Sequence, residues 1–192
     1  MARIEIVDPR PGWADEFRQL ARPLREALGE LAARIDHIGS TSVAGLPAKD
    51  VIDIQVTVAN LDAAALAGAL RPLGYTLRED VTGDHVPPGG DPAPEQWTKL
   101  YFRAPEDQRH THLHVRQAGR ANQRYPILFR DYLRATPAAS GAYAQIKYAL
   151  ARLHPDDMDA YYDVKDPVCD LIIQAAEIWA VQTGWSQGPG DA

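Results

Sequence analysis

Cysteine and long apolar runs are scarce in this sequence, and each shortage excludes a class of protein. The 192 residues include a single cysteine, Cys169, so no internal disulfide framework can form, and a reducing cytosol is indicated. We expect Cys169 to be a buried structural thiol, because it lies in an apolar helical pattern. No apolar run approaches the roughly 20 residues that a membrane-spanning helix needs, and no secretory signal pattern is visible. We therefore expect a cytoplasmic protein that does not enter membranes.

Positive charge is also in short supply. The formal net charge is −6, which argues against broad nucleic-acid binding, because such binding needs a basic surface. A small anionic ligand would instead require a local basic pocket. Only four lysines accompany sixteen arginines, and they are Lys49, Lys99, Lys147 and Lys165.

Apolar periodicity predicts a mixed α/β first part followed by helices. Strands are predicted at residues 3–7, 34–38, 51–58, 75–77, 96–103 and 109–116. Helices are predicted at 13–31, 61–73, 127–134 and 137–153, and a final helix follows residues 156–159 and runs to about 181. The fold class is therefore α/β (α+β), a mixed β-sheet with flanking helices and a helical C-terminal part.

The sequence predicts one domain over residues 1–181, with its C-terminal helices from about residue 127. Residues 82–95 contain four prolines and three glycines, which predicts a loop that is mobile or forms a lid over the site. The Gly- and Gln-rich residues 182–192 are predicted to be disordered.

A glycine–serine turn and the strand that follows it form the central motif. Gly39 has no Cβ, so a ligand can approach its backbone closely. Ser40, Thr41 and Ser42 offer hydroxyl and N–H groups that suit a phosphate oxygen, although an ordinary turn with a helix cap has the same composition. In the strand 51–58, alternation places Asp53 on the face opposite the apolar side chains.

These residues resemble the signature of the GrpB family. The resemblance rests on the run from His37 to Lys49 followed by Ile52-Asp53-Ile54, and on several later segments: His112-Leu113-His114-Val115, Phe129 to Arg134, Tyr143 with Lys147, and Tyr161 or Tyr162 with Lys165. It covers roughly residues 7–179. It implies a nucleotidyltransferase-like fold, and members of the family also occur fused to dephospho-CoA kinase.

The resemblance also implies a metal site. Nucleotidyltransferases of this superfamily follow the Gly-Ser turn with two aspartates, one residue apart, that hold the divalent cations bridging a triphosphate. This chain has Asp53 but carries Gln55 at the second position. Because His112 and His114 share one face of the strand 109–116 with His110, two imidazoles could join Asp53 in a two-His-one-carboxylate site. We predict a divalent ion, Mg²⁺ or Mn²⁺ with Zn²⁺ as an option, at Asp53, Gln55, His112 and His114; surface histidines are the alternative.

Phosphate contacts are predicted from the turn and from basic side chains within the family-like segments. The candidates are Gly39, Ser40, Thr41, Ser42, Lys49, Arg130, Lys147 and Lys165. For Arg130 and Asp131, a charge on the helix surface or an internal ion pair is an equal alternative. Trp97, Tyr101 and Tyr125 could stack on a base, but core packing is favoured for them.

Three functions remain open at this point. In the first, a metal-dependent enzyme with Asp53 and His112 as catalytic residues transfers a nucleotidyl group from an NTP to a small acceptor. In the second, the run His110 to Val115, which looks like the histidine-triad pattern, makes His112 the nucleophile of a nucleotide hydrolase. In the third, the chain is a non-catalytic module that binds a nucleotide or CoA. Self-association is left open.

Overall fold

A single mixed sheet lies at the centre of the protein. The computed structural model describes residues 3–192, and within them five strands form one sheet in the order β1-β2-β5-β4-β3. The strands are Ala32–Ile38 (β1), Ile52–Val58 (β2), Thr76–Leu77 (β3), Lys99–Arg103 (β4) and Thr111–Gln117 (β5). β2 and β5 run parallel and every other neighbouring pair is antiparallel.

Helices cover both faces of the sheet. They are Trp13–Leu28 (α1), Ala63–Leu70 (α2), Ala121–Ala135 (α3), Pro137–Leu153 (α4) and Met158–Thr183 (α5). The predicted fold class is confirmed, including the helical C-terminal part. None of these helices, within residues 3–192, is long and apolar enough to cross a membrane.

The two faces of the sheet differ in chemistry because side chains alternate along each strand. Ile52, Ile54 and Val56 of β2 are fully buried against the apolar sides of α1 and α2, in the largest hydrophobic cluster. The opposite face of β2 carries Asp53 and Gln55, and α3 packs over this side of the sheet. The polar face is therefore enclosed by the C-terminal helices rather than left open to solvent.

Two predicted elements differ from the observed ones. Residues 3–7 form no strand; Val7 makes only an isolated bridge with Ala48. Helix α3 begins six residues before the predicted start at Ile127. Its first turn is held by tertiary hydrogen bonds that periodicity does not reveal, such as Ala121 N–H to Gln96 Oε1 at 3.0 Å.

Asp84 anchors the loop 82–95 to the sheet. The carboxylate of Asp84 accepts hydrogen bonds from Lys99 Nζ at 2.6 Å and from Arg116 Nε at 2.8 Å. These contacts hold the pKa of Asp84 far below its usual range although burial alone would raise it. The part of the loop around Asp84 is thus bonded to the sheet, whereas its composition alone predicts a loop that is mobile or forms a lid.

The end of the segment 182–192, which is predicted to be disordered, lies along β1, after α5 has ended at Thr183. The backbone N–H of Asp191 donates to Ile35 O at 3.0 Å. Its carboxylate accepts from His37 N–H at 2.9 Å and from Arg130 Nη1 at 2.6 Å. A buried cation that needs a partner therefore fixes a segment whose composition indicates disorder.

The replacement Asp191→Asn tests this attachment. Arg130 is 4% exposed and is also paired with Asp131, so loss of the second close carboxylate is expected to lower the free energy of unfolding by about 1–3 kcal/mol. Urea denaturation measures the change. Asp163→Asn, at an exposed position of α5, is the control with the same charge change and is expected to have little effect; equal stability of both variants would contradict the assignment.

Candidate functional site

The backbone at Gly39 lies directly against the side chain of Asp53. Gly39 ends β1 with a φ of +69°. A Cβ at this position would overlap Asp53 Oδ2 and lie 2.9 Å from its Cγ. Glycine is thus required here for two reasons, the left-handed backbone and the space that the carboxylate occupies.

Asp53 faces two imidazoles on the neighbouring strand. The parallel register pairs Asp53 with His112 and Gln55 with His114, so all four side chains project from the same face. His112 Nδ1 lies 3.0 Å from Asp53 Oδ1. One potential ligand atom from each of Asp53, His112 and His114 lies within 4.8 Å of the others. The structure thus brings together three of the four predicted metal ligands.

The imidazole of His114 is suited to bind a cation. Its Nδ1 is buried and makes no hydrogen bond within the described residues 3–192. Burial lowers the pKa of His114 well below its usual range, so the ring is neutral and retains one nitrogen lone pair. A buried polar atom without a partner costs stability, and a metal ion is one group that would satisfy it. Two imidazoles and a carboxylate fit Mn²⁺, Fe²⁺ or Zn²⁺.

Tyr101 of β4 positions both imidazoles. Its ring centroid lies 5.2 Å from that of His114 and 5.8 Å from that of His112. From the sequence alone, Tyr101 is predicted to pack in the core or to stack on a base. Its position beside the histidines follows from the β4–β5 pairing, in which Tyr101 lies opposite His114.

The three side chains open into a cleft of about 270 Å³. Its other walls come from the turn, the segment before β2 and α5, and include Ser40, Thr41, Lys49, Tyr162 and Lys165. Lys49 Nζ lies 4.8 Å from the Tyr162 ring centroid and Lys165 Nζ lies 5.3 Å from it. Two of the predicted phosphate-binding lysines therefore face the same cleft as Asp53.

Lys147 supports the turn from behind. Its ammonium group donates to Ser40 Oγ at 3.1 Å and to the carbonyl of Pro47, and it lies 4.6 Å from the Tyr143 ring centroid. Burial, together with the charge of Lys165, lowers the pKa of Lys147 to about 7. Lys147 does not itself line the cleft and is linked to it by its hydrogen bond to Ser40.

The other predicted residues are engaged elsewhere. Gln55 accepts from Arg116 Nη1 at 2.7 Å and donates to Gln123 O at 2.8 Å, so it is committed to structural hydrogen bonds rather than to a metal. Arg130 bonds to His37 O, Asp131 and Asp191, which is the internal ion-pair alternative and not a phosphate contact.

The remaining residues of the turn bond within it. Ser42 Oγ donates to Gly39 O at 2.6 Å. Thr41 Oγ1 donates to Val51 O at 3.2 Å, and His37 Nε2 lies 3.0 Å from the same hydroxyl. Both hydroxyls shape the turn. Ser40 and Thr41 line the cleft, and Ser40 Oγ accepts a hydrogen bond from Lys147.

Comparison with known proteins decides the family. The family model described as GrpB protein matches residues 3–175. The chain belongs to the GrpB family. A crystal structure of the conserved protein GrpB from Enterococcus faecalis aligns with a TM-score of 0.74 at 29% identity, covering 91% of this chain and 99% of that one.

Curated relatives of this GrpB chain carry two kinds of name. A dephospho-CoA kinase of Mycolicibacterium paratuberculosis is 36% identical over 96% of this chain and 48% of its own length. A UPF0157 protein of Pseudomonas aeruginosa is 35% identical over 91% of this chain and 68% of its own length. The chain thus spans about half the length of the kinase relatives that it matches.

The contact between Gly39 and Asp53 gives a matched pair of substitutions. Gly39→Ala and Gly45→Ala both place alanine at a positive φ, +69° and +79°, but no atom lies within 4 Å of a Cβ at Gly45. Both substitutions are expected to lower the free energy of unfolding because of backbone strain. Gly39→Ala should lower it by about 1–3 kcal/mol more, because its Cβ also overlaps Asp53. Chemical denaturation measures the difference; equal losses would show that Asp53 does not occupy this space.

The buried ammonium of Lys147 predicts a pH dependence. Its folded-state pKa of about 7 lies below the usual 10.5, so between these values the unfolded chain binds more protons and stability rises with pH. From pH 7.5 to 9.5 the wild-type protein should gain about 2–3 kcal/mol relative to Lys147→Met, in which this group is absent. Denaturant unfolding at both pH values measures it; parallel behaviour of the two proteins would contradict the shift.

Proposed function

We propose that this GrpB protein is a metal-dependent nucleotidyltransferase-like enzyme that transfers a nucleotidyl group from an NTP to a small acceptor. The observation that carries the proposal is the cluster of Asp53, His112 and His114 directly below the Gly39–Ser40 turn. It combines potential cation ligands with a turn whose backbone and hydroxyl suit phosphate oxygens. A polar cleft with two lysines then supplies room and charge for the rest of an anionic substrate.

Each part of the cleft has a defined task in this proposal. Asp53, His112 and His114 would hold one divalent ion, which when bound neutralises charge on the phosphates and on the leaving pyrophosphate. Lys49 and Lys165 stabilise the phosphate charge that remains. Ser40 and the backbone at Gly39 position the phosphate chain, while Lys147 holds Ser40 in place.

The donor set supports one ion rather than two. Gln55 is fully buried and hydrogen-bonded at both ends of its amide, so the second carboxylate of the superfamily has no substitute on β2. The two imidazoles take its place on β5, and because imidazole is a softer ligand than carboxylate they favour Mn²⁺ or Zn²⁺ over Mg²⁺.

A histidine-dependent nucleotide hydrolase is the second candidate. The 3.0 Å contact between His112 Nδ1 and Asp53 Oδ1 is the arrangement in which a carboxylate orients an imidazole for nucleophilic attack. The other ring nitrogen would then form a bond to phosphorus as the bond to the leaving oxygen breaks. The two candidates differ in outcome, since only this one gives a phosphorus–histidine adduct on His112. The non-catalytic module, which binds nucleotide or CoA without turnover, is the third.

Calorimetric titration of MnCl₂ followed by each of the four NTPs tests the first candidate. We expect NTP binding to require the ion. Asp53→Asn should weaken Mn²⁺ binding at least about tenfold, because loss of a group that only orients a metal ligand already costs about that much affinity. Asp163→Asn is the matched control, with the same change on an exposed part of α5, and should bind like the wild-type protein.

Product analysis then separates the candidates. Release of pyrophosphate from an NTP in the presence of an acceptor mixture supports nucleotidyl transfer. Hydrolysis with an acid-labile adduct on His112 supports the hydrolase, and tight binding without product supports the module. Absence of NTP binding with Mg²⁺, Mn²⁺ and Zn²⁺ would overturn the proposal.

A further inference from the structure

A second cleft adjoins the cleft that contains Asp53. It has a volume of about 220 Å³, and Lys165 lines both. Its walls come from the loop 82–95, from β5 and from α3 and α5. The lining residues include Asp84, Trp97, Arg116, Asn122, Tyr125 and Cys169. Cys169, expected to be fully buried, is only half-buried and faces this cleft.

Asn122 lines this cleft and has an unused hydrogen-bond acceptor. Its side-chain nitrogen donates to Asp84 Oδ2 at 3.1 Å and to Thr98 O at 3.0 Å. Because both partners can only accept, the amide orientation is fixed and Oδ1 must point away from them. Oδ1 is buried, has no partner within residues 3–192, and belongs to a residue that is 1% exposed. A buried acceptor without a donor costs stability, and an N–H group of a ligand in this cleft would satisfy it.

Two aromatic rings line the same space. The ring centroids of Trp97 and Tyr125 are 6.5 Å apart with planes inclined at 73°. The indole N–H of Trp97 donates to Asp91 O at 2.6 Å, so the orientation of this ring is set by the loop. Aromatic side chains bind planar heterocycles by stacking or edge contact.

The donor groups of the cations around Asp84 already have partners within the protein. Asp84 accepts from both Lys99 and Arg116, and Arg116 also donates to Gln55 Oε1, so their N–H groups are engaged before any ligand binds. A neutral planar group with an N–H donor fits this environment better than a phosphate does. Phosphate groups fit the first cleft, where Lys49 and Lys165 are available.

Strand β5 sets the separation of the two clefts. His114 lines the first and Arg116 the second, and two residues along a strand span about 7 Å on one face. This separation is of the order of the distance from the phosphates of a nucleotide across its ribose to its base.

We propose that the second cleft binds the nucleobase of a nucleotide whose phosphates lie in the first cleft, with Asn122 Oδ1 accepting an N–H of the base. The inference rests on the proposed function and specifies its substrate as a nucleotide held at two adjacent sites. Tyr125 and Trp97 contact the ring, and Lys165 lies where the two sites meet.

Binding of inorganic triphosphate, compared with that of the NTPs, tests this assignment. In the presence of Mn²⁺, the preferred NTP should bind the wild-type protein at least about tenfold more tightly than triphosphate, because stacking and one hydrogen bond are added. Tyr125→Leu should remove about tenfold of the NTP affinity and leave triphosphate affinity unchanged. Tyr148→Leu, at an exposed position of α4, is the matched control and should change neither. Thermal unfolding confirms that both variants are folded.

An analogue without the N–H tests the role of Asn122 without mutation. Purine riboside triphosphate, for a preferred purine, or the 4-unsubstituted pyrimidinone riboside triphosphate, for cytosine, should bind about tenfold more weakly than the parent NTP.

If triphosphate binds through Asp53 and every NTP binds no more tightly than triphosphate, the base site is wrong and the metal–phosphate site stands. If neither triphosphate nor any NTP binds with any ion, the proposed function fails and the base site is overturned with it.

Discussion

Parallel pairing of β2 with β5 is the constraint on which the candidate site depends. The register sets Asp53 beside His112 and Gln55 beside His114, so one face of two adjacent strands carries all four side chains. A shift of one residue would send the imidazoles into the apolar layer below α1 and α2. The apolar partners Ile54 and Leu113, both fully buried, prevent that shift. The hydrophobic core therefore fixes the geometry of the polar face.

Much of this arrangement can be predicted from short patterns. Alternation along residues 51–58 identifies which side chains of β2 face the core, and alternation along 109–116 places His112 and His114 on one face. The Gly39–Ser40 turn marks where a backbone comes close to another group. The proximity of Asp53 to the imidazoles follows once the two strands are neighbours, and the sheet order shows that they are.

The remaining features depend on distant partners that no local pattern reveals. Gln55 looks like a substitute ligand until Arg116 and Gln123 are seen to occupy both ends of its amide. Arg130 lies in a family-like segment, but its charge serves Asp191 of a tail whose composition indicates disorder. Asp84 likewise anchors a loop rich in proline and glycine. In each case a buried charge or amide needs a partner far away in sequence, and the need is visible only after folding.

We propose that Asp53, His112 and His114 bind one divalent ion together. Pulsed electron paramagnetic resonance of the protein loaded with one equivalent of Mn²⁺ tests this directly, because each coordinated imidazole contributes a resolvable ¹⁴N coupling. We expect couplings from two nitrogens in the wild-type protein and from one in each of His112→Gln and His114→Gln. A spectrum without ¹⁴N coupling, or one that both substitutions leave unchanged, would contradict it.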